Sequence, residues 1–100
     1  MNGQKLAGML GLAMRARQAA AGMDACRIMI RSGKCGVLLA DEAVAPGTRE
    51  KAGAMARQAG VPFRVLPQGM IMDATGRDNR VVAIREGSFA EQIISMLPGK

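Results

Sequence analysis

Between Gly22 and Ala40 the chain reads GMDACRIMIRSGKCGVLLA. Asp24 stands where a carboxylate can accept the open N–H groups of a first helical turn. Gly33 stands where a left-handed residue would end that helix. Arg27, Arg31 and Lys34 crowd the same stretch, and the chain then turns apolar over Val37–Ala40. A helix start with open N–H groups beside several cations is a landing place for a phosphate backbone. The charge distribution points the same way. Residues 1–34 hold six of the fourteen Lys and Arg but only one of the eight Asp and Glu, so most of the net +6 sits in the first third. Arg outnumbers Lys ten to four, and Arg is the better fork for phosphate.

Other reactive side chains are few. The chain has no His, which removes the commonest general base at neutral pH and every Ser–His or Cys–His nucleophile pair. Cys26 and Cys35 are the only thiols. Without His or a third Cys they cannot complete a structural zinc site, and their spacing is not a C-x-x-C redox motif. They read as small buried residues of a reducing cytosol. Asp41 and Glu42 form an acidic pair after a strand, which is a catalytic address in α/β folds. Nothing near them reads as a base, nucleophile or metal partner, so a solvated loop pair is the expectation. Tyr and Trp are absent and Phe63 and Phe89 are the only aromatics, which excludes modules that stack bases on an aromatic sheet. No nucleotide-binding glycine motif is present. No metal site, cofactor or catalytic centre is expected.

These residues need elements to position them. One hundred residues, 49% of them apolar, suit a single domain with a real core. No run is long and apolar enough to span a membrane, and the N-terminus lacks a secretory pattern, so a cytoplasmic protein is expected. Helical and extended patterns alternate, which implies an α/β fold. Leu6, Met9, Leu10 and Ala13 fall on one face of a helix from about Asn2 to Arg15. Residues 18–22 form a connector or very short strand. A second helix covers about Met23 to Ser32, with Ala25, Ile28 and Met29 toward the core. Val37–Ala40 suits a buried strand, and 41–47 is a loop. Ala52, Met55, Ala56 and Ala59 stripe a third helix closed by Gly60. Residues 61–66 read as a strand, with Pro62 tolerable at its start. A short Met-rich helix or turn follows over 67–74, then a polar loop, then a strand at 81–84. Ser88 and Glu91 form the capping box of a last helix, striped by Phe89, Ile93, Ile94 and Leu97 and ended by Pro98. The nine Met residues read mainly as core fillers.

Four segments together resemble a known family: LGLAMRARQAAAG at 10–22, IRSGKCGVLLADEA at 30–43, GVPFRVLP at 60–67 and ATGRDNRVVAI at 74–84. In this order and spacing the chain resembles the ribosomal protein superfamily of the L-seven-Ae and L-thirty-e type, including its small bacterial members. The resemblance implies a three-layer α/β/α sandwich around a mixed sheet of about four strands. It also implies non-catalytic binding of structured RNA, typically a kink-turn. Partners would be structured RNA, ribosomal RNA among the candidates, and ribosomal proteins.

That family grips RNA through a G-x-N-E-x-x-K segment at the start of the second helix and a loop before the last strand. Gly22 matches the glycine. Asp24 stands at the Asn position, Ala25 at the Glu position and Ile28 at the Lys position. Ala74, Gly76 and Arg77 fit the end of the family's L-G-x-A-x-G-K loop, while Ile71 and Met72 stand where Leu and Gly are usual. The departures bear on function, because Ala25 cannot accept from a guanine edge and Asp24 lacks the amide donor. Arg15, Arg17, Arg27, Arg31 and Lys34 remain to supply a positive field. The 76–80 loop, with Arg77 and Arg80, would close over the other side. The competing reading is a protein-interaction module that kept the fold and lost kink-turn recognition.

Overall fold

The computed structural model describes residues 3–76 and 79–97. Its elements run α1 (Gly3–Arg15), β1 (Ala19–Ala21), α2 (Met23–Arg31), β2 (Cys35–Asp41), α3 (Pro46–Ala59), β3 (Phe63–Leu66), α4 (Met70–Thr75), β4 (Val81–Arg85) and α5 (Ser88–Ser95). Expectations placed on Asn2, Arg77 and Pro98 lie outside the described residues. The four strands make one mixed sheet in the order β1-β4-β2-β3. β4 runs antiparallel to both β1 and β2, and β2 runs parallel to β3.

Period-two alternation along the strands splits the core in two. Val37, Leu39, Leu66, Val82 and Ile84 face one side, where they bury Leu6, Leu10 and Ala13 of α1, Ile71 of α4 and Ile93 of α5. Leu38, Ala40, Val81 and Ala83 face the other, against Cys26 and Ile30 of α2 and Ala52 and Ala56 of α3. The result is the expected three-layer α/β/α sandwich. The small Ala faces of α3 let it lie close to the sheet, and Met23, Met29 and Met55 fill the irregular remainder. Gly36 permits the closest approach. A Cβ there would lie 2.7 Å from the Ala90 Cβ and 2.8 Å from the Glu86 Cα, so α5 can enter against β2 only over a bare backbone.

Several local expectations are corrected. The core face of α2 is Met23, Cys26 and Ile30, at i, i+3 and i+7, with Met29 alongside. Ile28 lies about half a turn from Cys26 and is 70% exposed, while Ala25 is half-buried. The third strand begins at Phe63 rather than 61, because Val61 still belongs to the termination of α3. β3 is an edge strand, and Val65 is exposed while Leu66 is buried. Ser88 is not a cap. Gly87 takes the N-cap position, no side chain caps α5, and the Ser88 Oγ accepts from the Gln92 Nε2 at 3.0 Å. The α5 core face is Ala90 and Ile93, with Leu97 buried just past the helix end and Phe89 and Ile94 packed at its margin.

Candidate nucleic-acid interface

The start of α2 is built by β1. The Gly22 N–H donates to the Val81 carbonyl at 2.9 Å, which extends the β1–β4 ladder by one residue. Its φ of 93° then turns the chain out of the sheet, a conformation that suits glycine. The Gly22 carbonyl accepts the Cys26 N–H at 3.0 Å and opens the helix. No side chain caps this turn. The N–H groups of residues 23–25 therefore lack a helical partner and point along the positive end of the helix dipole. Asp24 does not fold back onto them. Its carboxylate accepts from the Arg27 NH1 at 3.2 Å, an exposed i, i+3 pair that lays the guanidinium along the helix.

The second expected segment comes to the same place. A Cβ on Gly22 would lie 3.6 Å from the Asn79 Oδ1, so the Asn79 amide stands over the helix start. The Arg80 carbonyl accepts the Asp41 N–H at 2.8 Å, which anchors the end of that loop to the tip of β2. Gly22, Asp24, Ala25, Asn79 and Arg80 thus share one end of the sheet. Gly76 ends α4 in the left-handed conformation that starts this loop. Asn79 was not among the site residues expected from sequence. The polar GRDN stretch was the available signal, but only the antiparallel β1–β4 pairing places it beside Gly22.

Arg80 belongs to that end, but the other expected cations among the described residues lie elsewhere. Arg27 and Arg31 line a groove of about 510 Å³ between α2 and α3, floored by Met23, Ile30 and Met55 and joined by Lys51. Ile28 and Lys34 lie on the opposite flank of α2, in a groove of about 380 Å³ with Ala20, Ala25, Met29 and Arg85. Arg15 and Arg17 stand where α1 ends, before β1 begins. The field is therefore spread along both flanks of α2 and beyond its C-terminal end.

The remaining reactive groups are structural. Asp41 is 1% exposed rather than solvated. Its Oδ1 accepts the Ala43 N–H at 2.7 Å and its Oδ2 the Gly69 N–H at 2.8 Å. The Glu42 Oε1 accepts the Gln68 N–H at 3.2 Å, and Arg49 donates to the Glu42 carbonyl at 2.6 Å. The acidic pair clamps the β2–α3 loop to the β3–α4 turn. Cys26 and Cys35 are free thiols. The Cys26 Sγ donates to the Ala20 carbonyl at 3.4 Å, and burial pushes this thiol up from 9.0 to about 12. Burial also raises the half-buried Cys35. Thiols held protonated are poor nucleophiles and metal ligands at neutral pH. Among the described residues, no helix is long and apolar enough to cross a membrane.

No family model matches the sequence, and no curated protein matches it. Solved structures do match its fold. A protein of unknown function from Bacillus halodurans C superimposes with a TM-score of 0.84 at 22% identity, over 92% of this chain and 95% of that one. The Giardia lamblia 15.5kD RNA binding protein superimposes with a TM-score of 0.71 at 12% identity, over 93% and 81%. The Thermoplasma acidophilum Pelota protein does so with a TM-score of 0.64 at 11% identity, over 84% of this chain and 28% of that one. The chain shares its fold with an RNA-binding protein.

Proposed function

We propose that this chain is a non-catalytic, cytoplasmic binder of structured RNA of kink-turn type, a member of the L-seven-Ae and L-thirty-e superfamily that works in the ribosome or a related ribonucleoprotein. The observation that carries this reading is the Asn79 amide standing over the uncapped start of α2. Open backbone N–H groups and a side-chain amide at one edge suit recognition of unpaired or sheared base edges, and RNA is read by sequence at such non-helical places. Asn79 also brings a side-chain amide, its Oδ1 toward Gly22, to the helix start where Asp24 stands in place of the family's Asn. The fold shared with the Giardia RNA-binding protein supports the assignment. The absence of aromatic platforms is in keeping with recognition by backbone, Arg and amide groups.

Binding of a kink-turn RNA and of a fully paired duplex of the same length, each at two salt concentrations, tests it. Contacts from about four to six cations would make the kink-turn affinity fall roughly 10²–10³-fold between 50 and 200 mM salt. The bent RNA should be preferred at both. No binding at low salt, or equal binding of both RNAs, would count against the kink-turn reading.

One observation favours a second reading. Ile28 is 70% exposed in an apolar groove on the flank of α2, where the family places a Lys. A protein partner would use that groove, and Ile28→Lys would abolish its binding while leaving or improving RNA affinity.

A further inference from the structure

Three helices end in the same hydrogen-bonded turn. At the end of α1, the Arg17 N–H donates to the Met14 carbonyl at 3.2 Å and the Gln18 N–H to the Ala13 carbonyl at 2.8 Å. At the end of α2, the Gly33 and Lys34 N–H groups donate to the Ile30 and Met29 carbonyls at 3.0 and 3.3 Å. At the end of α3, the Gly60 and Val61 N–H groups donate to the Arg57 and Ala56 carbonyls at 3.2 and 2.8 Å. This is the Schellman arrangement, whose C′ residue must be left-handed and is usually glycine. Gly33 and Gly60 meet that demand with φ of 75° and 70°. Arg17 occupies the same position with φ of 60°, and among the described residues no other non-glycine has a positive φ. Glycine would relieve the strain, so an arginine stands here against the local backbone preference. Strain of this kind points to use of the side chain.

The sheet shows what stands beside it. The Arg85 N–H donates to the Gln18 carbonyl at 2.7 Å, and the Glu86 N–H donates to the Lys34 carbonyl at 2.8 Å. The end of β4 therefore ties the end of α1 to the end of α2. Arg15, Arg17, Lys34 and Arg85, all exposed, belong to the chain ends tied here, with the Arg15 guanidinium laid back along α1, its NH1 3.7 Å from where Gly11 would carry a Cβ, and Glu86 as the acidic neighbour. The three-residue β1 separates them from Gly22. Five residues of extended chain span about 16 Å at ~3.3 Å each, or roughly five steps of a nucleic-acid strand at ~3.4 Å. The flank between the ends carries Ala20, Ala25, Ile28 and Met29, with Lys34 and Arg85 lining the same groove.

We infer that Arg15, Arg17, Lys34 and Arg85 form a second phosphate-binding surface, which holds the helical stem flanking the RNA bend seated at Gly22 and Asn79. This rests on the RNA reading above. Lys34 and Arg85 share one groove, but Arg15 and Arg17 do not line it, so the four do not form a single pocket for a small anion. They are spread across the ends of two helices and a strand, the disposition that suits successive phosphates of one backbone. Contacts of this kind fix register and orientation and carry no sequence information.

Two RNAs sharing one kink-turn test it, one with a short stem and one with that stem extended by about a helical turn. The wild-type chain should bind the long-stem RNA about tenfold more tightly, with a slope of log affinity on log salt steeper by two to three. Arg17→Gly should raise the Tm by about 4 °C by releasing the left-handed strain. It should also reduce the advantage of the long stem about fivefold and make its salt slope shallower by about one. Arg17→Lys, which keeps a charge, should restore part of that advantage without the gain in Tm. Equal wild-type affinity for the two RNAs, or a more stable Arg17→Gly variant that keeps the full long-stem advantage, overturns the second surface while the kink-turn site stands. Wild-type protein that binds neither RNA overturns both.

Discussion

The Asn79 Oδ1 lies 3.6 Å from the point where Gly22 would carry a Cβ, so a loop residue and a helix cap separated by most of the sequence form one edge. Asn79→Ala removes the amide without disturbing the β1–β4 ladder. Loss of a hydrogen bond to an RNA base edge is worth ~1–3 kcal/mol. Kink-turn affinity should therefore fall roughly 5- to 150-fold, with the Tm nearly unchanged, as read by titration and melting of the same preparation. Asn79→Asp should be worse still, because it places a carboxylate beside a polyanion. An Ala variant that binds like wild type would remove the amide from the site.

The family departures on α2 make a prediction of opposite sign. Asp24→Asn, Ala25→Glu and Ile28→Lys together should strengthen kink-turn binding by two orders of magnitude or more, since each good contact contributes ~1–3 kcal/mol. Ile28 is 70% exposed, so Lys there should leave stability unchanged within about 0.5 kcal/mol. The Asp24 change also frees Arg27 from its 3.2 Å pair. Arg27→Ala with Arg31→Ala is the control and should weaken binding to every RNA by a similar factor. A folded triple variant with unmoved affinity would place the RNA surface elsewhere.

The layers, the element order and the main stripes were legible because they depend on local periodicity. Leu6, Leu10 and Ala13 on α1, Ala52 and Ala56 on α3, and the stops at Gly33 and Gly60 all fell where expected. Errors arose where a long-range partner decides. Helical phase alone turned Ala25, Ile28 and Met29 toward the core, whereas packing on the sheet buries Cys26 and Ile30 and leaves Ile28 exposed. Asp41 read as a solvated acid, because the amides of Ala43 and Gly69 that bury it come from the folded loops. The S-x-x-E box at Ser88 failed because Gly87 turns the chain one residue earlier. The left-handed Arg17 carries no sequence signal, since the rule for that position expects glycine. At the candidate site Gly22 was legible, while Asn79 depended on β1–β4 pairing.

Asp41 should dominate stability among the polar residues. Replacing it with Ala removes a buried carboxylate that accepts two backbone N–H groups, at 2.7 and 2.8 Å, and leaves both donors unmatched. Hydrogen bonds to a charged group contribute ~1.5–3 kcal/mol each. Asp41→Ala should therefore cost about 3 kcal/mol or more in urea unfolding. Asp41→Asn, which keeps one acceptor, should cost clearly less. A near-neutral Asp41→Ala would show that the clamp between the β2–α3 loop and the β3–α4 turn contributes little.

Cys26 should set the alkaline limb of stability. In the unfolded chain its thiol ionises from 9.0, whereas burial holds it protonated up to about 12 in the folded protein. Below pH 9 both states keep the proton and the thiol adds no pH dependence. Above pH 9 the unfolded state loses the proton first, so unfolding becomes more favourable as pH rises. One pH unit in this window corresponds to ~1.4 kcal/mol, so stability should fall by about 2 kcal/mol between pH 9 and 10.5. Cys26→Ala leaves a small cavity beneath α2 and lowers stability at pH 7 by ~1–2 kcal/mol. Its decline above pH 9 should nevertheless be shallower than that of the wild type by the whole Cys26 contribution. Urea unfolding of both chains at pH 7, 9 and 10.5 under reducing conditions reads the difference, and parallel curves would mean that the thiol is reached by solvent in the folded state.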